Sequence, residues 1–216
     1  TPAPAGAFSA QRAARNPLFE GIAEREENSR EALRAAAGII AYLEENLPEA
    51  VAVLRQPLVY RASAYVMLDE MTRRNLELVE SFQGERKGSL LSVLDRTMTP
   101  MGARRLRQWV LYPLMDEQAI RARHDAVEEQ VERYAERQDL RAALKGVQDL
   151  ERLCGRVVSG SAGPRDLAAV KQTLDAAGPI RARLRAFDAH LLASLSDQIA
   201  ELPEVCELIG RGIAED

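Results

Sequence analysis

Residues Gly88–Leu114 read GSLLSVLDRTMTPMGARRLRQWVLYPL, and the order of capping, turn and apolar residues in this stretch decides the fold class. Ser89 stands directly before Leu90, Leu91, Val93 and Leu94, where its hydroxyl can accept a backbone N–H from the first helical turn. Asp95 to Thr99 forms a polar turn. Thr99 then precedes Pro100, which sits at a first helical position where a missing N–H costs no hydrogen bond. In the helix that follows, Gly102, Ala103, Leu106, Trp109 and Val110 share one arc, opposite Arg104, Arg105, Arg107 and Gln108. Pro113 stops it. The stretch holds two capped helices in fixed register and no catalytic constellation.

Working outward, the same helical spacing recurs. Asn28 with Glu31 forms a capping box for a helix carrying Leu33, Ala37, Ile40 and Leu43, ending near Asn46 before Pro48. From Val51 to Asp69, β-branched and aromatic residues interrupted by Pro57 predict short extended segments and little strand. Beyond Met71 the pattern is helical. Ile120, Val127, Val131 and Tyr134 form one stripe on a helix beginning after Asp116. Leu140, Leu144 and Val147 form a second, and Leu150, Leu153 and Val157 a shorter third that ends in a Ser/Gly-rich break at Ser159–Gly163. Pro164 opens a helix with Leu167, Val170 and Leu174 inward until Gly178-Pro179. Ile180, Leu184 and Phe187 extend the next, Leu191, Leu195 and Ile199 mark another, and Val205, Leu208, Ile209 and Ile213 the last. No fixed-period repeat is evident, which disfavours a solenoid.

Composition narrows the function classes. A formal net charge of −4 argues against a self-sufficient nucleic-acid binder, which carries a basic footprint. The basic charge is almost all arginine, with lysine only at Lys87, Lys145 and Lys171. That bias reads as base composition of the source genome ahead of phosphate binding. Two distant cysteines, Cys154 and Cys206, have no metal-ligand spacing, so a reduced, cytoplasmic setting is expected. No apolar run approaches the ~20 residues of a membrane span.

Gly88–Leu114, together with Met67–Leu78 (MLDEMTRRNLEL), Arg123–Val127 (RHDAV), Asp149–Leu153 (DLERL) and Pro164–Leu167 (PRDL), resembles the DNA mismatch repair MutS family at the start of its helical core, or lever, domain. The resemblance runs from about Ala32 to the C-terminus. It implies that residues 1–30 are a poorly matched leader or the end of a connector domain, 31–48 the final connector helix, and 49–216 the first segment of the core domain. The fold expected is a mainly α multi-helix bundle with a short extended or β segment near residues 51–69.

In that family, mismatch reading belongs to a domain with a Phe-x-Glu element and ATP hydrolysis, with Mg, to an ABC-type domain. No Phe here is followed two residues later by Glu, and Gly84-Glu85-Arg86-Lys87-Gly88-Ser89 has P-loop residue types in the wrong order. The expectation is therefore a fragment, opening on Thr1 and stopping before the DNA clamp, with no catalytic, cofactor or metal residue of its own. The resemblance implies other domains of the same parent, mismatched duplex DNA, a homo-oligomeric parent and a MutL-like protein as partners, with mechanical coupling of ATPase and clamp as its role. A lever helix missing from this piece would leave an apolar strip uncovered. The alternative is an autonomous helical adaptor that docks protein partners.

Individual residues fit this reading. His124 shares the Ile120–Val127–Val131 face and reads as the edge of the core; His190 lacks ligands at coordinating spacing. Asp149 reads as a helix cap and Cys154 as a small buried residue. Glu128 and Glu129 read as a solvated helix face. Trp109 reads as a core anchor ahead of a base-stacking platform. The Arg104–Arg105–Arg107 face has three readings: phosphate contact, pairing with carboxylates, or simple solvation. The negative net charge favours the last two, and any nucleic-acid-binding residue stays unknown.

Overall fold

A computed structural model describes residues 29–48, 54 and 64–213. The chain divides into two units, Thr1–Arg61 and Ala62–Asp216. In the first, α1 (Ser29–Asn46) turns Ala37, Ile40 and Leu43 away from solvent, as their spacing requires. It ends where Asn46 donates from Nδ2 to the Tyr42 carbonyl at 2.8 Å. The capping residue Asn28 lies outside the described residues, as does most of the stretch expected to be extended over 51–69, of which residues 54 and 64–69 are described.

The second unit is helical, and side-chain caps place its early helix starts. Asp69 accepts the Thr72 N–H at 2.6 Å to open α2 (Glu70–Asn75). Ser89 accepts the Ser92 N–H at 3.2 Å to open α3 (Leu90–Leu94). Thr99 accepts the Gly102 N–H at 3.0 Å to open α4 (Pro100–Leu111). A Cβ on Gly102 would stand 3.0 Å from the Thr99 hydroxyl, so glycine leaves room for the cap. The turn between α3 and α4 is pinned by Asp95, whose Oδ1 accepts the Thr97 N–H at 3.1 Å and hydroxyl at 2.6 Å while Arg86 donates to Oδ2. Among the described residues β pairing is limited to an antiparallel bridge between Tyr65 and Leu114, flanked by Val66 N–H to Pro113 O at 2.8 Å and Met115 N–H to Ala64 O at 3.1 Å. No strand or sheet forms among the described residues, in line with the mainly α expectation.

Seven helices follow: α5 (Glu117–Glu132), α6 (Tyr134–Leu144), α7 (Leu150–Val158), α8 (Pro164–Asp175), α9 (Ala177–Leu184), α10 (His190–Gln198) and α11 (Pro203–Gly212). Packing centres on α9, which lies against α6, α8 and α10, while α5 lies against α6 and α10. The core gathers Ala126, Leu140, Ile180, Leu184, Phe187 and Leu192, with Phe187 only 3% exposed. α8 carries the second layer, packing on α7 and α11. Thr173 of α8 is buried and doubly used: its hydroxyl donates to Ala169 O at 2.8 Å and accepts the Gln148 N–H at 3.1 Å, anchoring the loop before α7.

Four apolar stripes face differently from the sequence expectation, one of them on α11, where Val205 and Leu208 are exposed and no residue is buried. On α5 the small Ala126 is buried, whereas Val127 is 59% and Val131 62% exposed. On α10, Leu192 and Ser196 point inward and Leu195 is exposed. On α7 no residue is buried, and Cys154 is exposed, so its reading as a small core residue is corrected. The break expected at Gly178-Pro179 comes at Ala176 instead; Pro179 lies in the first turn of α9, where its lost N–H would have no intrahelical acceptor.

One side chain ties α5 to the start of α10. Ala189 stands at the N-cap of α10 and offers no side-chain cap. Glu129 of α5 supplies it from across the bundle: Oε1 accepts the Asp188 N–H at 2.7 Å and Oε2 the Ala189 N–H at 2.8 Å. Arg133 joins Glu129 at 3.0 Å and Glu136 at 3.3 Å, with its guanidinium 5.5 Å from the Phe187 ring centre. The Glu129 side chain is 16% exposed. Burial pushes its carboxyl pKa up, but the two backbone donors and Arg133 outweigh that and hold it below the usual carboxylate value.

Phe187→Ala should cost about 3–5 kcal/mol in urea unfolding, the range for emptying a packed aromatic site. Glu129→Gln retains the size but loses the charge and one acceptor. Because the Glu129 pKa is depressed in the fold, its contribution is fully present above its unfolded value and is lost as pH falls through the lower folded one. The variant should be about 1 kcal/mol less stable at neutral pH, the scale of a lost cap, with that gap closing below pH 4.5.

Candidate functional site

The arginine face of α4 meets the start of α7. Asp149 caps α7 by accepting the Arg152 N–H at 3.3 Å, as expected from sequence. The same carboxylate takes a two-pronged contact from Arg104, Nη1 to Oδ2 at 2.5 Å and Nη2 to Oδ1 at 2.9 Å. Glu151 accepts from Arg104 Nη2 at 2.5 Å. The Arg104 contact holds the Asp149 carboxyl well below its ordinary range, and the two carboxylates raise the Arg104 pKa further. Planar guanidinium and carboxylate fit each other in this fork geometry, which fixes orientation as well as attraction. A second ion pair, Arg156 Nη1 to Asp166 Oδ1 at 2.8 Å, joins α7 to the first turn of α8, where Asp166 Oδ2 also accepts the Gly163 N–H at 2.8 Å. α7 buries no residue of its own, so these polar straps fix both its ends.

Of the arginine face, then, Arg104 is the member that pairs with carboxylates among the described residues, while Arg105 and Arg107 lie exposed, Arg105 donating to Gln108 Oε1 at 3.5 Å. Trp109 is 42% exposed rather than a core anchor; Leu111 takes the buried position on α4. The Arg123 guanidinium lies over the Trp109 ring, 3.9 Å from its centre. His124 and His190 are both exposed, and no group of His, Cys, Asp or Glu able to hold a metal occurs among the described residues. Cys206 lines an open hollow of about 420 Å³ with Lys171 and Asp175. Burial, then the Asp175 carboxylate, pushes its thiol pKa up, which opposes formation of a nucleophilic thiolate. Glu129, read from sequence as solvated, is the residue that sequence reasoning missed. The available signal was a helix start at Ala189-His190 with no capping side chain of its own.

The model for MutS domain III matches residues 71–216. The chain belongs to the MutS family. It is 48% identical over 186 residues to the DNA mismatch repair protein MutS of Symbiobacterium thermophilum, an alignment covering 86% of this chain and 21% of that protein. To the MutS of Synechococcus elongatus it is 41% identical over 185 residues, covering 85% and 21%. To the MutS of Methanothrix thermoacetophila it is 37% identical over 186 residues, covering 85% and 22%. The chain spans about a fifth of the length of these curated MutS relatives. The matched MutS domain begins at Met71 and takes in the Arg104–Asp149–Glu151 junction and the Glu129 strap. No helix among the described residues is long and apolar enough to cross a membrane.

Arg104→Ala should raise amide hydrogen exchange in the first turn of α7 while leaving α10 protected, and Asp149→Asn should do the same. Because the Asp149 pKa is lowered in the fold, the junction should persist above its ordinary value of 3.8 and loosen only as pH falls through the lower folded one.

Proposed function

We propose that this chain is a rigid relay within a larger mismatch repair protein that binds mismatched DNA in an ATP-dependent manner. It carries strain between an ATP-hydrolysing domain and a DNA-gripping clamp and performs no reaction itself. The observation that carries the reading is the Glu129 strap: a side chain from one helix satisfies the start of another across the core, so neither can rotate alone. Helices bound in this way move as bodies about a few hinges, the usual route for distant sites to bias each other. The Arg104 and Arg156 pairs extend the same logic to α4, α7 and α8. ATP and Mg would be held by other domains of that protein, as would the mispair. A homo-oligomeric parent working with a MutL-like protein fits the same reading. Pairing of Arg104 with carboxylates, and a net charge of −4, support a role in transmission over one in gripping phosphates.

Titration of matched and mismatched duplexes at several salt concentrations tests this. Weak, salt-labile binding without mismatch preference, or none, is the expected result, together with no ATP turnover by the chain alone. Tight mismatch-selective binding by these 216 residues would overturn it. In a full-length mismatch repair protein of this family, the change corresponding to Glu129→Gln should retain ATP turnover yet slow ATP-driven release from a mismatch. Unaltered release would remove the relay role.

A further inference from the structure

One side of α5 carries exposed valines that no described residue covers, Val127 at 59% and Val131 at 62% exposure. Arg123, Val127 and Val131 recur at four-residue intervals along it, about 12 Å end to end at the helical rise, and Tyr134, the first residue of α6, is 62% exposed. Cations bracket the strip. At one end Arg123 lies on Trp109, with Arg105 one helical turn before Trp109 on α4. At the other, Arg137 lies 5.0 Å from the Tyr134 ring centre and donates to Gln130 O at 2.8 Å.

The charges at the Trp109 end are unbalanced. Arg86, Arg104, Arg121, Arg133, Arg156 and Arg181 each meet a carboxylate, whereas no ion pair forms at Arg105 or Arg123 among the described residues. Burial and then the Arg105 charge pull the Arg123 pKa below its ordinary value, as befits a half-buried cation lacking a counter-ion.

We propose that Arg105, Trp109, Arg123, Val127, Val131 and Tyr134 form a docking face for an acidic amphipathic helix of another polypeptide. Its apolar side chains cover Val127 and Val131, and a carboxylate at one end bridges Arg105 and Arg123. This is the helix-on-groove mode of recognition, with anchors at i, i+4 and i+7. Nucleic acid fits less well: Arg123 already occupies one face of the indole, and a phosphate backbone would leave the valines exposed to water. A second copy of the same face would bring an uncompensated cationic end of its own. The inference rests on this surface alone and stands or falls separately from the relay reading.

Trp109 is the single tryptophan, so its emission reports on the face directly. The probe is a synthetic 14-residue helical peptide with leucines at i, i+4 and i+7 and a Glu pair in the adjoining turn, compared with its Glu→Lys counterpart. The acidic peptide should shift Trp109 emission and bind with a salt-sensitive Kd. That Kd should rise at least tenfold in Arg123→Gln and in Val131→Glu and stay unchanged in Arg107→Gln, all with wild-type helical circular dichroism. Should Arg123→Gln fail to fold, Arg105→Gln carries the same expectation. Equal binding of the acidic and basic peptides, no binding at millimolar peptide, or indifference to Val131→Glu would overturn the proposal. So would concentration-dependent self-association abolished by Val131→Glu, or displacement of the acidic peptide by duplex DNA.

Discussion

The helical unit depends on Glu129 meeting the start of α10. A helix beginning at His190 leaves backbone N–H groups without intrahelical acceptors, and in a partly buried setting each unmet donor is destabilising. Glu129 answers the one at the N-cap, Ala189, from a position 60 residues earlier in the chain, and takes the N–H of the preceding Asp188 as well. In the same arrangement the small Ala126 joins the core beside Leu192 of α10, and Val127 and Val131 stay outside. Arg133 then ties the same carboxylate to the start of α6, so the break between α5 and α6 is held at the point where Phe187 fills the core.

Around this centre, polar straps do what apolar burial does elsewhere. α7 buries nothing yet holds a fixed place, because Asp149 is at once its cap and the partner of Arg104, and Arg156 holds its other end to Asp166. Ion pairs at exposed positions contribute little to stability individually. Their use here is orientational: a forked guanidinium contact defines direction in a way that a methyl-to-methyl contact does not.

What was legible in the sequence follows from how local each determinant is. Ser89, Thr99, Asp116 and Asp149 cap the helices that begin one residue later, and all four could be read from a few neighbouring residues. The mainly α architecture follows from the same short-range patterns. Facing does not. The Val127 stripe and the buried Ala126 differ by one position, about 100° around the helix, and the choice between them rests on distant partners: the amides of Asp188 and Ala189 and the core side chains around Ala126. Cys154 misled for a related reason: its apolar neighbours have helical spacing, but α7 lies against α8 with only half-buried residues and leaves Cys154 exposed. At the α4 face, residue type revealed that Arg104 could meet carboxylates, while its choice of Asp149 and Glu151, some 45 residues away, needed the fold.

The join between α8 and α9 is a single residue, Ala176, itself in right-handed helical conformation. With no slack there, the two helices behave as the arms of a crank. α8 is about 18 Å long at the usual rise per residue, so tilting it by some five degrees about Ala176 would sweep its far tip through roughly 1.5 Å. An angular change too small to disturb side-chain packing near the pivot is thus magnified at Gly163, where the chain turns back toward α7.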